Sequence, residues 1–244
     1  MPRRGNTSSA VREQRAPSRV CSDSAREALF RKLNYFPTPP WAARAIAHRL
    51  KELDPEARTI WEPACGEGHF AAPLREVFGA EHVYASDIYD YGYGDTLDFL
   101  APSLCHAADI THYLVTNPPF DRGFDFVTRG LELVTRGVIV LARIAFLESE
   151  GREKMLWESQ PGLTCLMPFV ERVPMQLGSW DPDLSSASCY AAFAFIKGCA
   201  PMAPWAFPSG TERRFTRFDD AARFAKPAPV PLFEKMAPPA LFQP

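Results

Sequence analysis

Long apolar runs are absent from this sequence. Crossing a bilayer takes about 18 or more consecutive apolar residues, and the chain of 244 residues contains no such run. The N-terminal stretch MPRRGNTSSAVREQRAPSRV also lacks the apolar core of a secretion signal. We therefore expect a cytoplasmic protein that is neither secreted nor bound to a membrane.

Clustered metal ligands are absent as well. The 6 cysteines are scattered along the chain without a CxxC pair, and the 5 histidines are scattered too. Zinc sites in proteins draw their ligands from clustered cysteines and histidines. We expect reduced thiols and no metal cofactor.

The chain also lacks a large net charge. Its formal charge is −2, with 46% hydrophobic and 23% charged residues, as is usual in globular proteins. No basic field of the whole molecule would therefore attract nucleic acid. Residues 1–32 nevertheless hold eight Lys or Arg against three Asp or Glu, a local balance of +5 that leaves −7 for the remainder. This segment is either a solvated arm or a phosphate-binding arm.

Composition divides the chain into three segments. We predict a disordered basic arm at residues 1–23, one folded domain at residues 24–200 and a proline-rich, partly disordered extension at residues 201–244. Within the extension, residues 215–225 have the composition of a short helix.

Strand-like and helical segments alternate through the middle of the chain. The helical segments are residues 24–33, 41–53, 70–78 and 123–134. The strand-like segments are those that end at Glu62, Asp87 and Asn117, and residues 137–146. This alternation predicts an α/β fold with a mostly parallel sheet. Residues 162–175 and 188–198 look like two further strands with no strong helix between them, which suits an antiparallel edge.

Chemically active residues follow the predicted strands. The first strand leads into Glu62 and then into Gly66 and Gly68, within WEPACGEGHF. This spacing lacks the third glycine of the dinucleotide fingerprint, and an acidic residue at a strand end repels phosphate but suits a cationic amino group. Asp87, at the end of the next strand, could accept both hydroxyls of a ribose. Asp98 follows in LDFL, on a predicted loop.

The stretch VTNPPF, residues 115–120, ends another predicted strand. Two prolines in a row cannot continue a sheet ladder, because they lack backbone donors and fix φ. Taken alone, the four residues NPPF predict a rigid turn at the end of a strand. Because they follow Glu62, Asp87 and Asp98 in an ordered series of predicted site residues, a role in catalysis or ligand binding is favoured over a purely structural turn.

Together these motifs resemble a known family. EPACGEGHF looks like the first motif of class I S-adenosylmethionine-dependent methyltransferases. NPPF resembles the catalytic (Asp/Asn/Ser)-Pro-Pro-(Tyr/Phe/Trp) motif of the members that methylate planar amino nitrogens, above all N6 of adenine in DNA. YFPTPP resembles the Thr-Pro motif that comes first in the gamma-type enzymes, and the motif order matches over roughly residues 34–150. Softer matches near residues 143–152 and 190–198 resemble small phage and prophage adenine methyltransferases.

The resemblance implies a fold and a cofactor. The fold would be a Rossmann-like class I methyltransferase domain with a mostly parallel seven-stranded sheet and an antiparallel edge strand. The cofactor would be S-adenosylmethionine. The residues that the resemblance implies as its binding set are Thr38, Pro39, Glu62, Pro63, Ala64, Cys65, Gly66, Gly68, Asp87, Ile88, Asp98, Phe99 and Asn117.

Within this set the resemblance implies separate roles. Thr38 would contact the methionine carboxylate of the cofactor, and Glu62 with the glycine turn would hold the rest of the methionine part. Asp87 would bind the ribose hydroxyls. Ile88 would pack against the cofactor's adenine, Asp98 would bond its amino group, and the neighbouring phenylalanine would line its ring pocket.

The target site would consist of Asn117, Pro118, Pro119 and Phe120. An exocyclic adenine amine is a poor nucleophile, because its lone pair is delocalised into the ring. The side-chain oxygen of Asn117 and the carbonyl of Pro118 would accept its N–H groups, held rigidly by the two prolines. The target base would flip out of the duplex and stack on Phe120. The amine proton would pass to water, and no metal is required.

Several alternatives stay open at the level of sequence. The acceptor could be adenine in RNA or a glutamine amide in protein, and a non-catalytic cofactor-binding module is a third hypothesis. DNA recognition would be short and relaxed, or would use the basic arm and the loop at residues 176–188. The tyrosines of YDYGYG could border a nucleic-acid channel or lie beside the cofactor. Arg143, Glu148 and Arg152 are predicted to form an ion network, or alternatively to line the base pocket.

Overall fold

The computed structural model describes residues 23–103, 111–181, 183 and 187–202. The predicted basic arm except its last residue, which begins a helix, the helix predicted at residues 215–225 and nearly all of the predicted C-terminal extension lie outside these residues. No helix within the described ranges is long and apolar enough to span a bilayer.

A seven-stranded sheet forms the centre of the fold. Its spatial order is β3-β2-β1-β4-β5-β7-β6. The strands β1 to β5 are parallel to one another, and β7 lies antiparallel between β5 and β6. The predicted α/β class and the antiparallel pair at one edge are confirmed. The strands are β1 (Ile60–Glu62), β2 (Val83–Asp87), β3 (Asp95–Thr96), β4 (Tyr113–Thr116), β5 (Gly137–Arg143), β6 (Cys165–Pro168) and β7 (Tyr190–Ile196).

Five α-helices are present in the described part of the chain. They are α1 (Asp23–Leu33), α2 (Pro40–Leu53), α3 (Ala71–Phe78), α4 (Gly123–Leu133) and α5 (Glu150–Trp157). The helix α2 begins at a proline, which fits the first turn of a helix because the N–H it lacks would have no partner there. Short 3-10 turns occupy Ala80–His82 and Ile144–Leu147.

Four details differ from the sequence-based prediction. The strand predicted over residues 162–175 is confined to Cys165–Pro168. The strand predicted over residues 137–146 ends at Arg143, because the chain turns into a 3-10 segment directly afterwards. The strand β3 has two residues, both exposed, and so carries no hydrophobic alternation that would reveal it. The helix α5 was not predicted, since it buries only Met155 and Leu156 and shows no regular apolar stripe.

Helices cover both faces of the sheet. Successive side chains of β5 point to opposite faces. Ile139 and Leu141 pack in one core with apolar residues of α2 and α3. Val138 and Val140 pack in a second core with apolar residues of α4 and α5. The sheet is therefore buried on both sides, and its polar groups are concentrated where the strands end.

The central strands determine where a ligand can bind. β1 pairs with β2 on one side and with β4 on the other, and all three run parallel. Their carboxyl ends therefore meet at the same edge of the sheet. Ligands of open α/β sheets bind in the crevice outside these ends, at the point where the strand order reverses.

Candidate active site

A cavity of about 420 Å³ lies at the carboxyl ends of β1, β2 and β4. The structure brings most of the predicted cofactor residues together in its wall, along with one predicted target-site proline. The predicted residues that line the cavity are Thr38, Pro63, Ala64, Cys65, Asp87, Ile88, Asp98, Phe99, Asn117 and Pro119. The predicted residues outside the lining are Pro39, Glu62, Gly66, Gly68, Pro118 and Phe120.

Glu62 lies behind the cavity wall at the end of β1. Its side chain is fully buried, and its Oε1 accepts hydrogen bonds from the Thr116 hydroxyl at 2.6 Å and the Ala64 backbone N–H at 3.0 Å. These two bonds fix the carboxyl group between the strand ends of β1 and β4. Ala64 lines the cavity, and so does Asn117, the residue after Thr116.

Three buried oxygens at this site lack a hydrogen-bond partner among the described residues. They are Thr38 Oγ1, Glu62 Oε2 and Asn117 Oδ1. An unpaired polar atom costs free energy when it is buried, and most such atoms in folded proteins have partners. Two of them belong to residues of the cavity wall and the third lies directly behind it, which indicates a site built to bond the polar groups of a ligand.

Burial raises the pKa of Glu62 to about 8, and the nearby Asp87 carboxylate adds to this effect. The hydrogen bonds from Thr116 and Ala64 act in the opposite direction. The carboxyl group is therefore mostly protonated at neutral pH without a ligand. A ligand ammonium group bound beside it would favour the charged form.

Asp87 connects the end of β2 to the glycine turn that follows β1. Its Oδ2 accepts the Gly66 backbone N–H at 2.9 Å, and its Oδ1 accepts the Tyr89 backbone N–H at 3.1 Å. Burial raises the pKa of Asp87, although these backbone bonds favour its charged form. The carboxylate is thus held in one orientation in the cavity wall.

Gly66 can adopt its backbone conformation because it has no side chain. Its φ is +51°, and a Cβ atom there would overlap the ring of Tyr35. The Tyr35 ring in turn packs against the Tyr91 ring, with 4.6 Å between the two centroids. A larger residue at position 66 would therefore push on the aromatic wall of the cavity.

We expect Gly66→Ala to lower the free energy of unfolding by about 2–4 kcal/mol, from backbone strain of about 1–2 kcal/mol plus the clash with Tyr35. Gly92→Ala is the matched control, because Gly92 also has a positive φ, of +80°, but has open space around its Cβ position. Urea unfolding of both variants measures the difference. Equal losses of stability would contradict the clash.

Asn117 follows β4 directly, and its amide is held in one orientation. Its Nδ2 donates a hydrogen bond to the Phe36 carbonyl at 2.8 Å. Because this bond uses the amide nitrogen, the side-chain oxygen is the atom left to accept from a ligand. The two prolines that follow Asn117 fix the chain as it leaves the sheet.

Phe120 lies in an aromatic cluster beside the cavity. Its ring centroid is 4.8 Å from that of Phe36 and 6.1 Å from that of Tyr190. The Arg143 guanidinium carbon lies 4.7 Å from the Phe120 centroid. The flat face predicted for a target base is therefore in contact with an arginine.

The predicted ion network at the end of β5 is wrong. Arg143 contacts Phe120 and the Tyr190 hydroxyl, at 3.4 Å from Nε, instead of Glu148. Arg152 donates to the Phe146 carbonyl at 2.8 Å and covers the Phe146 ring. Both arginines are next to aromatic rings, so stacking replaces the ion pairs that charge alone suggested.

Sequence reasoning did not assign one wall of the cavity. The end of α1 and the residues before Thr38 line it. Asn34, with a φ of +53°, donates from Nδ2 to Asp121 Oδ1 at 3.0 Å and so joins this wall to the loop after Asn117. The only signal in the sequence was the position of Tyr35 next to the Thr-Pro motif. The residues missed are Lys32, Leu33, Asn34, Tyr35, Phe36, Pro37, Phe70, Leu100, Asp121, Arg122 and Phe126.

Two more residues lie at the cavity, and one of them is a tyrosine whose place the sequence left open. Tyr91 lines it, which places one tyrosine of YDYGYG on the side of the predicted cofactor residues. His69 lines it too, directly before α3, and burial lowers the pKa of His69. Within the described ranges no group of three or more His, Cys, Asp or Glu could hold a metal ion. That the reaction needs no metal stays a prediction.

No protein-family model and no curated protein matches the chain. Solved structures match its fold. A protein from Pyrococcus horikoshii, provisionally assigned as an RNA methyltransferase, gives a TM-score of 0.52 at 15% identity, over 71% of this chain and 97% of that one. The chain has a methyltransferase fold.

Two further methyltransferase structures match with lower scores. The methyltransferase subunit of a type I restriction-modification system from Streptococcus thermophilus gives a TM-score of 0.45 at 8% identity, over 72% of this chain and 48% of that one. The 23S rRNA methyltransferase ErmE gives a TM-score of 0.45 at 17% identity, over 73% of this chain and 75% of that one.

Proposed function

We propose that the chain is an S-adenosylmethionine-dependent methyltransferase that acts on the exocyclic N6 amine of adenine in DNA. The observation that carries this proposal is the state of Asn117. Its amide nitrogen is bonded to the Phe36 carbonyl, and its buried oxygen has no partner within the described chain. A fixed, unpaired carbonyl oxygen at a strand end is the acceptor that a planar amine needs.

The cavity fits S-adenosylmethionine by its donor and acceptor chemistry. Thr38 Oγ1 and Glu62 Oε2 are buried and unpaired among the described residues, and they match the carboxylate and ammonium ends of a methionine group. The Asp87 carboxylate, fixed by two backbone N–H groups, would accept from ribose hydroxyls. Ile88 is 59% exposed, which leaves apolar surface for the adenine ring of the cofactor.

The residues of the chain would prepare the amine for attack. Asn117 Oδ1 and the Pro118 carbonyl would accept the two N–H groups and favour development of the nitrogen lone pair. When bound, S-adenosylmethionine supplies a methyl group whose bond to sulfur breaks as its bond to the amine nitrogen forms. Phe120 would hold the flipped base by stacking, and the amine proton would leave to water.

Adenine in RNA is the second candidate acceptor. The first of the solved structures above, with a TM-score of 0.52, is provisionally assigned as an RNA methyltransferase. The geometry at Asn117 serves an adenine amine in either polymer. The basic segment before α1, residues 1–22, would add phosphate contacts to DNA or RNA alike.

Methyl transfer from tritiated S-adenosylmethionine to separate DNA, RNA and protein acceptors tests the proposal. We expect label in DNA, and nucleoside mass spectrometry of that DNA should show N6-methyladenine. Label in RNA alone would select the second candidate. Label in protein alone would exclude both nucleic-acid acceptors, and no binding of the cofactor by calorimetry would exclude the enzyme altogether.

A further inference from the structure

Two of the three groups around Phe120 are fixed, and one can move. Phe36 is partly buried, the bond from Asn117 to its backbone carbonyl anchors its segment, and its ring packs against Phe120 with 4.8 Å between the centroids. Tyr190 is 3% exposed and belongs to β7, inside the core. Arg143 is exposed, and beyond the backbone pairing of β5 with β7 its side chain is held by one long hydrogen bond, from Nε to the Tyr190 hydroxyl at 3.4 Å. A ligand group that approaches Phe120 can therefore displace the Arg143 guanidinium more easily than it can displace the Phe36 or Tyr190 ring.

The guanidinium occupies the space that a stacked base would need. Its carbon lies 4.7 Å from the Phe120 centroid. Stacked aromatic rings have centroids about 4.5–7 Å apart, so a base and the guanidinium cannot share this face at the present separation. A base that stacks on Phe120 has to displace Arg143 first.

We propose that Arg143 is a specificity-determining residue, which a flipped nucleobase displaces from the face of Phe120. This inference rests on the proposed function. The contact of an exposed arginine with a ring is weaker than the stacking of a whole base on that ring. A nucleobase can therefore replace the guanidinium. An acceptor with little flat surface, such as a glutamine carboxamide, gains too little by stacking to do so.

The displaced side chain remains useful at the site. Arg143 Nε lies 3.4 Å from the Tyr190 hydroxyl. The end of the side chain can therefore rotate away from Phe120 while Nε stays near β7. It keeps five N–H donors in a planar group. Adenine carries ring-nitrogen acceptors next to its amine, and nucleic acid carries phosphates. Arg143 can bond to either after the base enters.

Steady-state kinetics with single-stranded DNA test the displacement. Arg143→Lys keeps the positive charge but lacks the planar group that stacks. We expect KM for an adenine-containing oligonucleotide to fall about threefold, because the flipped base no longer has to displace a stacked guanidinium. We expect kcat to stay within about twofold of the wild-type value. Arg152→Lys is the matched control, since Arg152 covers the Phe146 ring at 4.8 Å, and it should leave KM unchanged. An unchanged or higher KM in Arg143→Lys would overturn the inference.

Side-chain NMR of Arg143 in the full-length protein gives an independent test. Protons above an aromatic ring are shifted upfield, and this shift should disappear when an oligonucleotide with one adenine binds. The same oligonucleotide with an abasic site in place of the adenine has the same charge and should leave the shift in place. Equal effects of both, or no effect of the adenine while methyl transfer proceeds, would overturn the role of Arg143 and leave the proposed function intact. Absence of transfer to any nucleic acid would overturn both.

Discussion

Asn117→Ala should reduce kcat by about 10²–10³-fold, the cost of removing one preorganised hydrogen-bond partner from an active site. The variant loses the buried Oδ1 that would accept from the target amine. Because Asn117 forms only part of the cavity wall, we expect the dissociation constant of S-adenosylmethionine to change by less than about threefold. Single-turnover methyl transfer and calorimetry measure the two quantities separately.

Asn117→Asp is the companion variant. It keeps an oxygen acceptor but loses the N–H that donates to the Phe36 carbonyl. We expect it to retain more activity than Asn117→Ala, because the acceptor survives although its orientation is less well fixed. If Asn117→Ala kept more than about a tenth of wild-type turnover, the acceptor role would be wrong.

Glu62→Gln should weaken binding of S-adenosylmethionine by about 10- to 100-fold, as expected when a hydrogen bond to a charged group is lost. Glutamine matches the shape of glutamate, and its oxygen can still accept from Thr116 and Ala64. The fold should therefore survive while the negative charge is lost. Glu67→Gln is the matched control, because Glu67 lies in the same turn but is exposed and pairs with Arg26 at the surface. Equal affinities of both variants would contradict the role of Glu62.

The pH dependence of binding follows from the raised pKa of Glu62. Burial raises this pKa to about 8, above the ordinary value for a glutamate, so the free protein holds the proton at neutral pH. A cationic ligand group selects the carboxylate and so expels that proton. Affinity should therefore fall as pH drops below about 8, by up to about tenfold per pH unit. In Glu62→Gln this dependence should vanish, and calorimetry in buffers of different ionisation enthalpy counts the proton released.

Local patterns in the sequence were sufficient to predict a mostly parallel sheet and the places where β1, β2 and β4 end. Alternating apolar segments predicted the parallel strands, and the rule that parallel strands end at one edge brought Glu62, Asp87 and Asn117 together. The prediction of the strands and the grouping of their ends both depend only on the spacing of residues along the chain. The antiparallel pair β6 and β7 was predictable because no helix separates them.

Contacts between distant segments were beyond such patterns. The stacking of Arg143 on Phe120 depends on how far the β5 side chain reaches across the sheet edge, which no periodicity encodes. Charge suggested an ion pair with Glu148, but the aromatic ring lies in the direction in which the arginine extends. The cavity wall at Asn34 depends on a hydrogen bond to Asp121, whose partner is 87 residues away.

The bond between Phe36 and Asn117 spans 81 residues, and this separation has a consequence for synthesis on the ribosome. At about 5–20 residues per second, Asn117 is made roughly 4–16 s after Phe36. Until then the segment that carries Thr38 has no anchor at the end of β4. The residues that would hold the cofactor and those that would hold the target therefore cannot all take their final positions before β4 joins β1 in the sheet.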